Sequence, residues 1–480
     1  MGEVLQFLIM GSFCLLVGAG FAGLIYVSAR QQFKKFGIKD MAHLRKLAKE
    51  PPEAMQATVD ATVREELEPV KVTPPGHSPR SRLEQLREVG LRGDAGTLER
   101  FDPDFSPVVF EDFAHALFTR VHEARGGGRL DRVGAWLSDD AFEALRTLGR
   151  PAQVKDPLVG VMAYADVTGV ADNSSRVQVS LRFEAHYTEV DAVGAEQPWY
   201  VTEAWTLERT PAVASRSPDT VGTFIFTCPN CGAPSEAQRG GTCYRCDTKV
   251  NTGGFDWVVQ SVRLLAREQR VPRGIGPPRS RDPKLPTLRD ARAEANLDAL
   301  GREDPDFILL ALRPRLELIL QEVRAGASHP DGQGMRPFLG DNVFRSQRHG
   351  SQASRDAGVR HVTRRSAIQH VSLARMSRDT YYDALTVRVH ATCVDYSVRE
   401  SDQKLVAGSA EHPRDFSEYW TLVRRRGVKG APGTTRTCPS CGKPLTVDAA
   451  GYCMSCQAHL TSGAFDWVLH RIEQDASYRG

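Results

Sequence analysis

Ten cysteines stand in this 480-residue chain, and eight of them fall into two sets with one spacing. Cys228 and Cys231 are separated by two residues, eleven residues follow, and Cys243 and Cys246 repeat the first gap. Cys438, Cys441, Cys453 and Cys456 copy that arrangement. Two intervening residues let both thiolates of a knuckle face one point at about 2.3 Å, and two knuckles complete a tetrahedron. Gly232 and Gly442 follow the second cysteine of each set, where a turn must aim backbone amides at sulfur. Four thiolates leave no position for water or substrate, so the expected chemistry is structural and not hydrolytic. Disulfides compete for the same residues, but in a reducing compartment paired Cys-x-x-Cys knuckles are a zinc signature. A thioredoxin-like role needs one Cys-x-x-Cys at a helix start, not two per module. Two structural zinc ions are therefore expected, each supplying the folding free energy of a small module. Cys14 and Cys393 have no such context and are expected to be inert.

Other reactive residue types do not form a repeated pattern. His186, Tyr187, His370 and His390 sit on alternating, strand-like runs, yet Glu184 and His186 align with His390 and Thr392 in the second half. No acid–base pair recurs. The glycines at 126–128 precede no Gly-Lys-Ser/Thr, so they mark a helix-breaking turn and not a phosphate loop. An enzyme is not expected. The net charge of +3 argues against electrostatic nucleic-acid binding by the chain as a whole. Arg239, Arg245 and Lys249 in the first cysteine module, against Lys443 alone in the second, make a thin basic surface.

The elements that must position the cysteines occur twice. "LREVGLRGDAGTLERFDPDF" from Leu86 answers "LRDARAEANLDALGREDPDF" from Leu288, and "WLSDDAF" answers "FLGDNVF". "AWTLERT" answers "YWTLVRR", and Phe255-Asp256-Trp257 answers Phe465-Asp466-Trp467. Such an ordered series is a duplication. Phe110, Phe113, Ala114, Leu117, Val121 and Ala124 lie at helical spacing, and Ser138 is placed to cap a further helix. Pro314 predicts a later or kinked start for the second copy's helix. Three alternating runs follow in each copy and read as an antiparallel sheet. The Phe-Asp-Trp segments are expected to pack each module back onto its domain.

The N-terminus is of another kind. Val4 to Val27 contains no charged residue and is long enough to cross a hydrocarbon core of about 30 Å. Only Glu3 precedes it, whereas Arg30, Lys34, Lys35, Lys39, Arg45, Lys46 and Lys49 follow. That asymmetry predicts an uncleaved single-pass anchor with the body on the cytoplasmic side of an inner membrane. The expected organisation is a transmembrane helix at 1–28, a basic segment and Pro-rich stalk at 29–80, and a first α+β domain at 81–224. A first zinc ribbon at 225–265, a Pro/Arg-rich linker at 266–286, a second domain at 287–434 and a second ribbon at 435–475 follow.

The helices ending in "WLSDDAFEAL" and the strands ending in "WTLERT" resemble the C-terminal domain of the Tim-forty-four family, membrane anchors of the mitochondrial protein-import motor with bacterial relatives. Relatives that join a membrane helix, this domain and a "CPNCG" ribbon resemble this chain closely. The resemblance implies a cone-shaped α+β fold like nuclear transport factor two, with helices packed across a curved sheet and an apolar pocket. This chain departs by having two such units, and by lacking the long charged coiled segment with which the mitochondrial anchors hold their chaperone. The import-motor role is therefore not carried over. What remains is a membrane-anchored adaptor for a protein partner, with a hydrophobic-ligand carrier and a ribosome or nucleic-acid contact as the alternatives.

Overall fold

The computed structural model describes Leu98, Glu99 and residues 102–168, 176–211, 213, 215, 217–218, 226–269, 285–326, 332–475, 477–478 and 480. The apolar run at 1–28 and the stalk at 29–80 lie outside these residues, and no described helix is long and apolar enough to cross a membrane.

The first unit opens with helix α1 (Pro107–Arg125). Pro107 occupies its first turn, where an absent N–H costs nothing, and the Ser106 hydroxyl accepts from Val109 N at 3.3 Å. Phe110, Phe113, Ala114, Leu117, Phe118, Val121 and Ala124 form its buried face, as the spacing requires. Each large one contributes about 1.5–3 kcal/mol by leaving water. Gly126 ends the helix where it crosses the sheet, and a Cβ there would lie 2.5 Å from Val154 N. A 3-10 turn (Leu130–Trp136) and helix α2 (Asp139–Thr147) follow, and Ser138 caps α2 by accepting from Ala141 N at 3.1 Å.

Strands β1 (Gln153–Thr168), β2 (Val177–Val190) and β3 (Glu196–Arg209) form an antiparallel sheet. Val177, Val179, Leu181, Phe183, Ala185 and Tyr187 point one way along β2 and are all buried. The chain then makes the short ribbon strands β4 (Gln238–Arg239), β5 (Thr242–Cys243) and β6 (Thr248–Lys249) and returns to the sheet as β7 (Val258–Gln269). The sheet order is β1-β2-β3-β7, with Trp205 of β3 opposite Val262 of β7.

That return corrects the expected boundaries at 225–265 and 435–475. The segment after Phe-Asp-Trp is the last strand of the domain's own sheet, so each ribbon is inserted within the sheet and not appended to it. The first four residues assigned to the linker at 266–286 are the end of β7.

The second unit repeats the plan. Helix α3 (Ala293–Glu303) and a 3-10 turn (Leu309–Ala311) precede helix α4 (Leu312–Gly326). α4 starts later than its counterpart and keeps Pro314 in its first turn, as that proline requires. Helix α5 (Asp341–Asp356) leads into β8 (Val359–Arg378), β9 (Tyr382–Arg399), β10 (Leu405–Gly408) and β11 (Arg414–Arg425). After the second ribbon, β12 (Val468–Gln474) pairs with β11. The layer class is mixed α+β, and each unit has its own apolar core.

The two units meet along α1, β1, β12 and the β8–β9 turn. Val108 packs with Tyr382 and Val423, Glu111 pairs with Arg471, and Thr380 donates to Pro103 O at 2.9 Å. This contact is heterologous, joining different surfaces of the two copies. The position matching Glu111 on α4 is Arg313, which is occupied with Glu317, and the position matching Arg471 on β7 is Ser261.

Candidate metal centres

The eight predicted cysteines converge as two groups of four. In each group all four sulfurs lie within 4.8 Å of one another. Cys228 and Cys246 are 3.9 Å apart, Cys231 and Cys243 3.8 Å, and Cys438 and Cys456 3.8 Å. A tetrahedron with 2.3 Å metal–sulfur bonds has edges of about 3.8 Å, so these sulfurs fit a four-thiolate site. The fit is the close kind that leaves no open position.

The backbone explains the convergence. Gly232 and Gly442 have φ of 70° and 71°, and their N–H groups close turns on Cys228 O and Cys438 O at 2.8 Å. Asp247 and Gln457 occupy the matching position of the second knuckle at φ of 52° and 59°. Every knuckle therefore needs one left-handed residue, and only the first of each pair has glycine. Hydrogen bonds from Thr248 and Asn230 hold the Cys246 thiol down to about 6. Cys456 is held down to about 6 by the Ala458 amide, assisted by Ser440.

Each ribbon is fixed to its own sheet. Asn251 donates to Leu137 O at 2.8 Å in the first unit, and Gly241 must be bare because a Cβ would lie 2.1 Å from Asn251. In the second unit the buried Arg336 bridges Ala449 O at 2.9 Å and Leu339 O at 2.6 Å. A three-residue lock recurs at the base. Arg209 pairs with Asp102 at 2.6 Å and lies 4.7 Å from the centre of the Trp257 ring. Arg424 pairs with Asp304 at 2.9 Å and lies 4.7 Å from Trp467. The repeated Asp-Pro-Asp-Phe, Trp-Thr-Leu and Phe-Asp-Trp motifs are thus parts of one buried stack, and both tryptophans serve the core.

The strand residues weighed for catalysis are dispersed. Tyr187 points into the first core, where burial raises its hydroxyl pKa, while His186 lies against His349 of the second unit. His370 and His390 face each other at 5.8 Å. A buried carboxylate does recur: Glu203 accepts the Trp205 indole N–H at 2.8 Å, and Glu418 accepts that of Trp420 at 3.1 Å. The sequence signal was Glu-x-Trp in both halves. In the first unit Glu203 also meets His122 at 3.3 Å, sealed by Phe118, Phe183 and Tyr187. Valine and cysteine stand at the matching strand positions of the second unit, Val389 and Cys393. Trp420, Leu320, Val323, Val343 and Ile472, with Leu158, Val159 and Gly160 of the first unit, line a cavity of about 370 Å³ whose polar members include Arg324, Arg471, Glu418 and His349.

The seam between the units carries a further titratable group. His470 lies 3.8 Å from both Glu111 and Asp112. Burial disfavours its charged form, but Asp112 and Glu111 outweigh that and raise its pKa. Burial also lifts Asp112 to about 6 and lowers His115 to about 3.

Residues 293–434 match the family model described as Tim44-like domain. No curated protein matches the chain. Among solved structures it is similar to an "Ntf2 like protein involved in plasmid conjugation", at 8% identity and a TM-score of 0.19, covering 77% of this chain and 96% of that one. The family match falls on the second unit, from α3 to β11, and the first unit repeats that plan of helices and sheet.

Proposed function

We propose that the chain is a non-enzymatic adaptor, held at an inner membrane by residues 1–28 and presenting two zinc-stiffened ribbons to a protein partner on the cytoplasmic side. The observation that carries this reading is at the ribbon tips. Tyr244 and Met454 follow the third cysteine in their respective modules and are 56% and 66% exposed. Large apolar side chains held outward by a rigid turn suit a partner's pocket, because little conformational freedom is lost on docking. Two linked tips also raise the effective concentration for a two-site partner. Zinc suits the sulfur-only donor set and supplies the ribbon's stability, with no step of chemistry assigned to it. Proximity labelling from the C-terminus in cells, comparing wild type with Tyr244→Ser/Met454→Ser, tests the proposal. A neighbour set that is unchanged by the double substitution overturns it.

A second reading rests on the cavity lined by both units. Its apolar residues, set beside Arg324 and Arg471, suit an apolar chain ending in an anionic group, and its volume falls in the range of ligand pockets. Native mass spectrometry of the detergent-free chain should then show retained ligand mass, lost in Val323→Phe, which fills the cavity.

A further inference from the structure

A pair of histidines joins the two units away from the cysteine sites. His186 stands on β2 of the first unit and His349 on α5 of the second, with ring centres 4.9 Å apart and planes inclined by 41°. Both ring nitrogens of His186 and Nε2 of His349 are buried without a hydrogen-bond partner among the described residues. Buried imidazole nitrogens are ordinarily satisfied, so three unused ones at one contact call for an explanation. Burial keeps both rings in the neutral form, with His186 lowered to about 4. A neutral imidazole with a free nitrogen is a metal ligand.

The spacing fits that use. Two imidazoles sharing one ion at 2.0–2.1 Å, at tetrahedral angles, have ring centres roughly 5 Å apart. Asp156 and Asp356 favour the charged form of His349 and oppose the effect of its burial. Asp156 sits in a bulge of β1 between Lys155 and Leu158, with φ of 49°. Bulges re-aim side chains, and Leu158 pairs directly with His186 in the register.

We infer that His186 and His349 form a third metal site, which takes a borderline divalent ion such as Zn²⁺ through two imidazoles, with water completing the shell. Unlike the sulfur sites it bridges the two units, so its occupancy sets how firmly they are held together. Neither residue occurs in a metal-spacing motif, because the ligands come from different copies.

The test is equilibrium dialysis of the full chain against micromolar Zn²⁺, followed by elemental analysis. Wild type should hold three zinc ions, and His186→Gln and His349→Gln should each hold two, with at least a tenfold loss of affinity for the third. Two ions in wild type, or three in the variants, overturns the assignment. Cadmium-113 magnetic resonance of the wild-type chain gives a check that needs no variant. A line from nitrogen and oxygen ligands should appear beside the four-sulfur lines, and its absence would also overturn the site.

Discussion

The hydroxyl of Ser106 donates to Asp379 Oδ2 at 2.7 Å while its oxygen caps the first turn of α1, so one side chain starts a helix and joins the two units. The other oxygen of Asp379 accepts from the Tyr381 and Tyr382 amides, each at 2.7 Å. Ser106→Ala should cost more than the ~1 kcal/mol of an ordinary cap, and Asp379→Ala should cost a similar amount. In a double-mutant cycle by denaturant unfolding the pair should couple by about 0.5 kcal/mol or more. Strict additivity would show that the seam does not use this bond.

Because the ribbons interrupt the sheets, losing the proposed zinc should loosen more than a surface knob. Cys243→Ser or Cys453→Ser should release one equivalent of zinc, detected with a chromogenic chelator, and lower the melting temperature of the whole unit. A normal melt with one zinc missing would mean that the ribbon is thermally independent of its sheet.

Arg209 and Arg424 are each buried against an aspartate and a tryptophan. Arg209→Met leaves the Asp102 carboxylate buried without its main partner, at a cost of about 3–5 kcal/mol. Adding Asp102→Asn to that variant should recover part of the loss. Equal stability of the single and double variants in urea melts would refute the pairing.

Protonated His470 is favoured by folding, since its pKa is raised in the native chain. Its contribution is complete below about 6.5 and is lost as pH rises through the higher folded value. Asp112 works in the same direction but at lower pH, between its ordinary 3.8 and about 6, because its ionisation opposes burial. Melting temperature should therefore fall as pH rises above about 6.5 in wild type and change less in His470→Gln. An identical slope in both proteins would remove His470 from the seam's electrostatics.

Gln457 holds a left-handed backbone without glycine's freedom. Gln457→Gly should stabilise the second ribbon by up to about 1 kcal/mol and slow its zinc release. Faster release would show that the side chain, which donates to Cys453 O at 3.3 Å, matters more than the strain.

The cysteine sites were legible in the sequence because their geometry is local: two-residue gaps and a following turn bring thiolates together whatever the rest of the chain does. The α1 face and the Ser138 cap were legible for the same reason, since helical spacing acts within a few residues. The place of Phe-Asp-Trp was only half legible. Trp257 and Trp467 do pack inward, but strand pairing across an inserted ribbon is a long-range choice that no local pattern records. Glu203 and His122 met only when a strand crossed a helix, and His186 met His349 only when one copy docked on the other. Duplication fixed what each half contains. The docking of the halves was decided by residues that differ between them, Glu111 against Arg313 and Arg471 against Ser261, because a charged contact forms only where both signs are present.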